Sequence, residues 1–323
     1  MTDRYVRQMV LPEVGPEGQA RLARASVLVV GAGGLGCPVL SYLAGAGIGR
    51  LLLIDPDRVE ESNLHRQPLY RMSDVGRPKV EAAREALAAY NPGVEVEALA
   101  LRLAPDNAAE LVARADIVVD AADSFAATYV LSDACRDAGK PLVSASIAGL
   151  SGYVGAFCGG GPSYRAVFPE MPARAADCAT AGVLGPAVAS LGLLQAQMAL
   201  LLALGLEPSP LGRVISFDAR RLAFGGFSFA AAQEPLAGSF RFIAPSQLSA
   251  GDIVVELRGV EEAPVAAAPD AIRLAVDEID RLSLDETDGR RIVLCCRSGI
   301  RAARAAGKLA ARGVSDLALM ALG

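Results

Sequence analysis

Val27-Leu28-Val29-Val30-Gly31-Ala32-Gly33-Gly34-Leu35-Gly36 decides the fold of this chain, together with the next apolar run, Leu51-Leu52-Leu53-Ile54-Asp55. The first four residues read as a buried strand, the glycines as a tight turn, and residues 35–46 as the helix that leaves it. Gly31 permits the turn, Gly33 lets backbone N–H groups approach phosphate oxygens, and Gly36 allows the helix to pack closely on the strand. The helix N-terminus favours an anion, and Asp55, closing the second strand, is of the type that holds a ribose hydroxyl. A nucleotide site is therefore expected in an α/β protein with a doubly wound, mainly parallel sheet. The fingerprint alone leaves the nucleotide open. A dinucleotide-dependent oxidoreductase is the default reading, and residues further along argue against it.

Working outward, strand-like runs at 94–99, 117–120 and 141–144 alternate with helical patterns, as right-handed βαβ units require. The helix containing Lys79, Val80, Ala83 and Leu87 stops before the turn signal Asn91-Pro92-Gly93. An additional β-rich part, 153–157 and 166–168, precedes a long apolar helix at 183–206, and 213–217 reads as a further strand. Residues 225–238, rich in Gly, Ala and Ser, mark a boundary. Beyond it, strands at 253–257 and 291–295 and a helix at 301–312 form a small α/β unit. The expected organisation is one domain over 1–230, a linker at 231–239 and a second domain over 240–323.

The 323 residues are enough for about two domains. A net charge of -5 gives no electrostatic footprint for nucleic acid or an anionic membrane surface. The stretch 183–206 is nearly long enough to span a bilayer, yet it holds Gly185, Pro186, Ser190, Gly192, Gln195 and Gln197 and lacks flanking Lys or Arg clusters. It reads as a helix of the core or of a subunit interface, not of a membrane. The polar N-terminus lacks the apolar stretch of a signal peptide, so cytoplasmic residence and reduced cysteines are expected. Six cysteines form no CxxC pair, and His65 is the sole histidine. No structural zinc is expected from such a ligand supply.

Downstream of Asp55 come Asp57, Asn63, Arg66 and Lys79. Hydride transfer has no use for cations here, whereas a triphosphate attacked at phosphorus needs its charge clamped. The alternative is that Arg66 and Lys79 are solvated surface cations. Asp120 and Asp123 close the fourth strand at the carboxyl edge of the sheet, where open α/β folds bind ligands. Either carboxylate suits magnesium, which takes one or two carboxylates plus phosphate oxygens.

Arg4-Tyr5-x-Arg7-Gln8, Gly31-x-Gly33-Gly34-Leu35-Gly36, Asp55-x-Asp57, Asn63-Leu64-x-Arg66-Gln67, Gly76-x-x-Lys79, Asn91-Pro92 and Asp120-x-x-Asp123 follow one another in this order. In order and spacing they resemble the ThiF/MoeB/HesA family, relatives of ubiquitin-activating enzymes with a Rossmann-like sheet. The resemblance covers about residues 4–222. It implies ATP-dependent adenylation of the C-terminal glycine of a ubiquitin-like sulfur carrier protein. It further implies that Asp55 holds the ribose, that Asn63, Arg66 and Lys79 contact phosphates, and that Asp123 holds Mg2+. Arg7 is implied to reach the partner's triphosphate in a homodimer. The nucleophile is a carboxylate already ionised at neutral pH, so alignment and charge neutralisation replace a general base. Two stretches depart from the family pattern. Its Cys-Tyr-Arg-Cys run reads Ser163-Tyr164-Arg165-Ala166, again with no zinc, and its Asp-Asn-Phe-x-x-Arg stretch reads Asp123-Ser124-Phe125-Ala126-Ala127-Thr128.

Cys178 stands where the family carries a loop cysteine that can link covalently to the carrier; a small buried residue without chemistry is the other reading. In the tail, Cys296-Arg297-Ser298-Gly299-Ile300-Arg301 reads as a loop entering a helix, where backbone N–H groups, a helix N-terminus and two arginines stabilise a thiolate or persulfide. This resembles a rhodanese active loop, with Glu256-Leu257-Arg258 in place of the usual Asp-Val-Arg. The resemblance covers about 240–323 and implies a persulfide on Cys296, with Cys295 facing the other side of its strand. Pro264 to Ile272 departs from the usual pattern and the segment reads as a short or partly degenerate rhodanese-like domain. The expected protein is thus an adenylyltransferase coupled to a sulfurtransferase, whose partners are a sulfur carrier of ThiS or MoaD type and a persulfide donor such as a cysteine desulfurase. Its rivals are an NAD(P)-dependent oxidoreductase and a non-catalytic scaffold for a ubiquitin-like protein.

Overall fold

The computed structural model describes residues 3–172, 182–235, 240–283 and 289–323. Cys178 falls outside them. Eight strands form the first sheet: β1 (Ser26–Val30), β2 (Arg50–Ile54), β3 (Glu95–Leu99), β4 (Ile117–Asp120), β5 (Pro141–Ala148), β6 (Ser151–Cys158), β7 (Arg213–Asp218) and β8 (Ala223–Ser228). Their order is β3-β2-β1-β4-β5-β6-β7-β8. The first five are parallel and the last three antiparallel. Strand order reverses between β1 and β4, which opens a crevice at their carboxyl ends. The glycine turn and the Asp120–Asp123 turn both lie there. Uniform burial of β1, β2 and β4 explains why their residues are continuously apolar instead of alternating.

The apolar helix Gly185–Leu204 packs on the helix Gly36–Ala46 and on β5 and β6. Its length and composition would allow it to cross a membrane, but half of its apolar window is buried within the fold. Gly192 makes the close approach possible, since a Cβ there would sit 2.5 Å from the Leu35 carbonyl oxygen. Its one wholly buried amide, Gln195, donates to the Asp120 carbonyl oxygen at 2.6 Å and so ties the core helix to the end of β4.

A second sheet comprises β9 (Arg241–Phe242), β10 (Ile253–Glu256), β11 (Ile272–Arg273), β12 (Ile292–Cys296) and β13 (Leu317–Ala321). Its order is β11-β10-β12-β13-β9, parallel throughout, with the helix Ile300–Ala311 on one face. The two sheets are joined through apolar packing: Ala126 and Tyr129, on the helix Phe125–Ala138 that packs on the first sheet, belong to the same buried cluster as Phe242, Leu294 and Cys296 of the second.

Three sequence expectations need correction. Residues 164–167 are helical, Tyr164–Val167, where a strand over 166–168 was expected. Their aromatics close a cluster with Tyr129, Tyr153 and Phe157, and that packing overrides the local β preference. The Gly-rich stretch 225–238 is not all connection, because Gly225 to Ser228 belong to β8, an exposed edge strand. Cys296 is the last residue of β12 and not part of the loop.

Candidate active site

A cavity of about 540 Å³ occupies the crevice at the strand-order reversal. Gly31, Asp55, Asn63, Arg66, Lys79 and Asp123 all line it. At its floor Gly31 adopts φ +100°, and a Cβ there would meet the Ala121 carbonyl oxygen at 2.6 Å. A Cβ on Gly36 would stand 2.0 Å from the Gly31 carbonyl oxygen, so the turn closes only with glycine at both ends. A Cβ on Gly33 meets only Gln67, at 3.7 Å, and one on Gly34 presses on Val188 at 3.1 Å. Within the chain Gly33 is free of crowding, which leaves its peptide open to a ligand.

Asp55 is buried and braces this turn. One carboxylate oxygen accepts the Ala32 N–H at 2.7 Å and the other the Asp57 N–H at 2.8 Å. Burial pushes its carboxyl above the usual range, opposed by those N–H groups and by Lys79. Lys79 is a buried cation, 5% exposed, whose ammonium lies 2.9 Å from the Asp57 carboxylate. That excludes a solvated surface role for it. Arg66 is half-buried and bonds the Ser62 carbonyl oxygen and the His65 ring. Asn63 is buried beside them.

The two acids of the β4 turn separate sharply. Asp120 is fully buried, accepting from Thr128 Oγ1 at 2.7 Å, Ser144 Oγ at 2.8 Å and the Ala122 N–H at 3.2 Å. Burial raises its carboxyl to about 6 despite these donors. A magnesium role for Asp120, open on sequence grounds, is therefore excluded by its enclosure. Asp123 is exposed on the cavity wall, and among the described residues its carboxylate has no hydrogen bond or ion pair within the chain. A free carboxylate facing a space bounded by a phosphate-type glycine turn fits magnesium, which keeps water and phosphate oxygens as its other ligands.

Arg7 lies outside this cavity and is exposed. Its neighbours anchor the segment: Tyr5 Oη accepts from Asn91 Nδ2 at 2.8 Å, and Gln8 donates to Gln19 at 2.7 Å. The segment reading Ser163-Tyr164-Arg165-Ala166 is held by polar contacts. Ser163 gives its N–H and its hydroxyl to the Glu234 carboxylate, both at 2.7 Å, and Arg165 clasps Asp133 at 2.6 and 2.8 Å. Among the described residues no group of three His, Cys, Asp or Glu is placed to hold a metal.

Cys296 is buried at the end of β12, with the Gly299 and Ala302 N–H groups aimed at its sulfur at 3.1 and 3.4 Å. Such donors at a helix N-terminus favour a sulfur anion. Cys295 turns to the opposite face, 3.8 Å from the Met320 sulfur, and burial raises its thiol to about 12. Arg301 is paired with Glu262 at 2.7 and 2.5 Å, whereas Arg297 and Ser298 are exposed. Glu256, wholly buried, accepts from Arg258 and from the Ala267 N–H, and so frames the loop between β10 and β11. Ile300 starts the helix that follows the Cys296 loop.

Further residues line the cavity without any motif to announce them: Leu101 to Pro105, Tyr153 and Phe242 to Pro245; Arg297, known from the Cys296 loop motif, joins them from the second sheet. Gln67, although part of a quoted motif, adds a buried side-chain oxygen with no partner. That orphaned acceptor was readable only from the fold.

A glycine turn, a buried lysine beside a half-buried arginine, and one free acid around a single crevice define a nucleotide-binding α/β enzyme of the Rossmann-like class. The chain belongs to the ThiF family, whose pattern matches residues 5–236. It is 49% identical over 230 residues to a sulfur carrier protein adenylyltransferase of Thermus thermophilus, a match covering 69% of this chain and 85% of that protein. It is 51% identical over 221 residues to the bovine adenylyltransferase and sulfurtransferase MOCS3, covering 68% of this chain but only 49% of MOCS3. The SAMP-activating enzyme E1 of Haloferax volcanii is 45% identical over 224 residues, covering 69% of this chain and 83% of the archaeal one. E. coli MccB crystallised with ATP superposes with a TM-score of 0.62 at 24% identity, over 74% of each chain, which carries the fold. The chain is accordingly an adenylyltransferase-type enzyme.

Proposed function

We propose that this chain uses ATP to adenylate the C-terminal glycine of a ubiquitin-like sulfur carrier protein, and that Cys296 then delivers sulfur to the activated carboxyl. The observation that carries this reading is the single cavity that collects Gly31, Asp55, Arg66, Lys79 and Asp123 and takes Arg297, the residue after Cys296, into its lining. The names of the relatives point the same way.

In this reading the ribose sits against Asp55, and the glycine turn with Asn63, Arg66 and Lys79 receives the phosphates. Asp123 would hold Mg2+, which when bound neutralises phosphate charge. A carboxylate oxygen of the carrier attacks the α-phosphorus, the bond to the β-phosphate oxygen breaks, and pyrophosphate leaves. Lys79 and Arg66 offset the charge that gathers on the phosphoryl oxygens; no proton must be removed from the attacking carboxylate. The terminal sulfur of a Cys296 persulfide, loaded by a donor such as a cysteine desulfurase, attacks the acyl carbon and expels AMP. A thiol then cleaves the acyl disulfide and releases the thiocarboxylate. The Gly299 and Ala302 N–H groups stabilise the sulfur anion at Cys296.

The protein acts as a homodimer in which Arg7, outside its own cavity, reaches the partner's. Exposed Val6, Val10 and Leu11 beside it, with Leu184 and Leu193 on and before the long helix, supply apolar surface for that association. Division into an adenylation domain over 1–230 and a sulfurtransferase domain over 240–323, joined at 231–239, agrees with the end of the first sheet at Ser228 and the start of the second at Arg241.

The test is carrier-dependent ATP–pyrophosphate exchange. Asp123→Ala and Arg66→Ala are expected to lose it, and exchange that survives both variants overturns the adenylation half. Thiocarboxylate formation is expected to vanish in Cys296→Ser; an undiminished yield overturns the sulfur-transfer half.

A further inference from the structure

We propose that Arg297, supplied by the second sheet, is a substrate-binding residue of the nucleotide cavity, and that its guanidinium takes an anionic oxygen of the adenylation substrates. The proposal rests on the reading of that cavity as an ATP site.

The loop after Cys296 is pressed against the first sheet's own machinery. A Cβ on Gly299 would lie 3.6 Å from the Ala126 Cβ, in the first turn of the helix Phe125–Ala138 that follows Asp123. Several bonds hold the second sheet in that position. Arg241 pairs with Asp137 at 3.0 and 3.2 Å, and Ser246 Oγ donates to Asp106 at 2.5 Å. The Arg102 guanidinium donates to the Gly323 carbonyl oxygen, while the Gly323 N–H donates to the Arg297 carbonyl oxygen at 2.9 Å. Arg297 is thereby tethered through its backbone to two cavity-lining segments.

Charge accounting singles out its side chain. Lys79 is paired with Asp57, Arg58 bonds the Gly76 carbonyl oxygen, Arg66 the Ser62 carbonyl oxygen, and Arg102 the Gly323 carbonyl oxygen. Of the cationic side chains that line the cavity, Arg297 alone has no hydrogen bond or ion pair within the chain among the described residues. Glu262 feels its charge but is already bonded to Arg301 at 2.7 and 2.5 Å. The cavity-lining stretch Asp123 to Thr128 contains no cation of its own, and the Thr128 hydroxyl is committed to Asp120. An uncommitted guanidinium is suited to bidentate contact with a phosphate or carboxylate. Two substrates carry such oxygens: the triphosphate of ATP, and the C-terminal carboxylate of the carrier.

Pyrophosphate exchange with the full chain, a candidate carrier and magnesium, together with calorimetric titration of ATP alone, tests this. Arg297→Ala is expected to raise the KM for ATP or for carrier about tenfold or more, as loss of one charged hydrogen bond does. Arg297→Lys is expected to restore part of it. Weaker ATP binding in the titration assigns the contact to the triphosphate, and unchanged ATP binding with a raised carrier KM assigns it to the carrier carboxylate. Arg281→Ala, on an exposed ion pair in the connection between β11 and β12, is the control. Arg297→Ala and Arg297→Gln with wild-type values of both KM terms overturn the assignment, while exchange lost in Arg66→Ala leaves the ATP site standing. Absence of exchange in the wild-type protein overturns both.

Discussion

Lys79 illustrates how much of the site is decided by single residues. A lysine at 5% exposure is stable only with its charge met, and Asp57 at 2.9 Å meets it while the ammonium still lines the cavity. Lys79→Ala is expected to lower pyrophosphate exchange by about 10²–10³, the effect of removing one preorganised charge-stabilising donor. Asp120 makes a different prediction, about stability. Its carboxyl titrates near 6 in the folded state against 3.8 for the free group. Between those values the native protein binds a proton that the unfolded chain does not, so stability is full below about pH 4 and falls as pH rises to 6. Asp120→Asn removes that slope. Denaturant unfolding of nucleotide-free protein is expected to show the variant gaining about 2 kcal/mol on the wild type between pH 4 and pH 7; parallel pH profiles would contradict it. Which of the two turn acids is enclosed was not legible in sequence. One ends β4 and the other follows it by three residues, and enclosure depends on Thr128 and Ser144, which arrive from other elements.

Among the elements, the strands and long helices were legible because burial on both faces leaves an uninterrupted apolar record in β1, β2 and β4, and helical spacing marks the segment after Lys79. The short helix Tyr164–Val167 and the exposed strand β8 were not. The former is set by aromatic packing from two other segments, the helix Phe125–Ala138 and β6, and the latter carries glycines on an outer edge, where periodicity says nothing. Glycines within helices sort the same way. Gly192→Ala would force a Cβ to within 2.5 Å of the Leu35 carbonyl oxygen and 2.6 Å of Pro38, so a loss of about 1–3 kcal/mol in unfolding free energy is expected. Gly307→Ala, exposed in the helix Ile300–Ala311 with nothing within 4 Å of a new Cβ, is expected to gain about 0.5–1 kcal/mol. Both are read by chemical denaturation, and equal shifts would show that helix contacts do not control these positions.

At the scale of the whole molecule, sequence motifs marked two separate chemistries, a nucleotide turn at 31–36 and a thiol loop at 296–301. The sequence held no sign that they meet, because Arg297 and the glycine turn that line one cavity are far apart in the chain. That adjacency gives the account its order of events: the acyl-adenylate forms in a cavity whose lip already carries Arg297 and, one residue behind it, Cys296. The most direct test is mass spectrometry of a candidate sulfur carrier incubated with this protein, ATP, magnesium and a persulfide donor. The account predicts a carrier species heavier by one adenylate when the donor is withheld, then one with an oxygen replaced by sulfur when it is supplied. A carrier whose mass never changes, across the ubiquitin-like carriers of the same cell and with ATP bound, would contradict it.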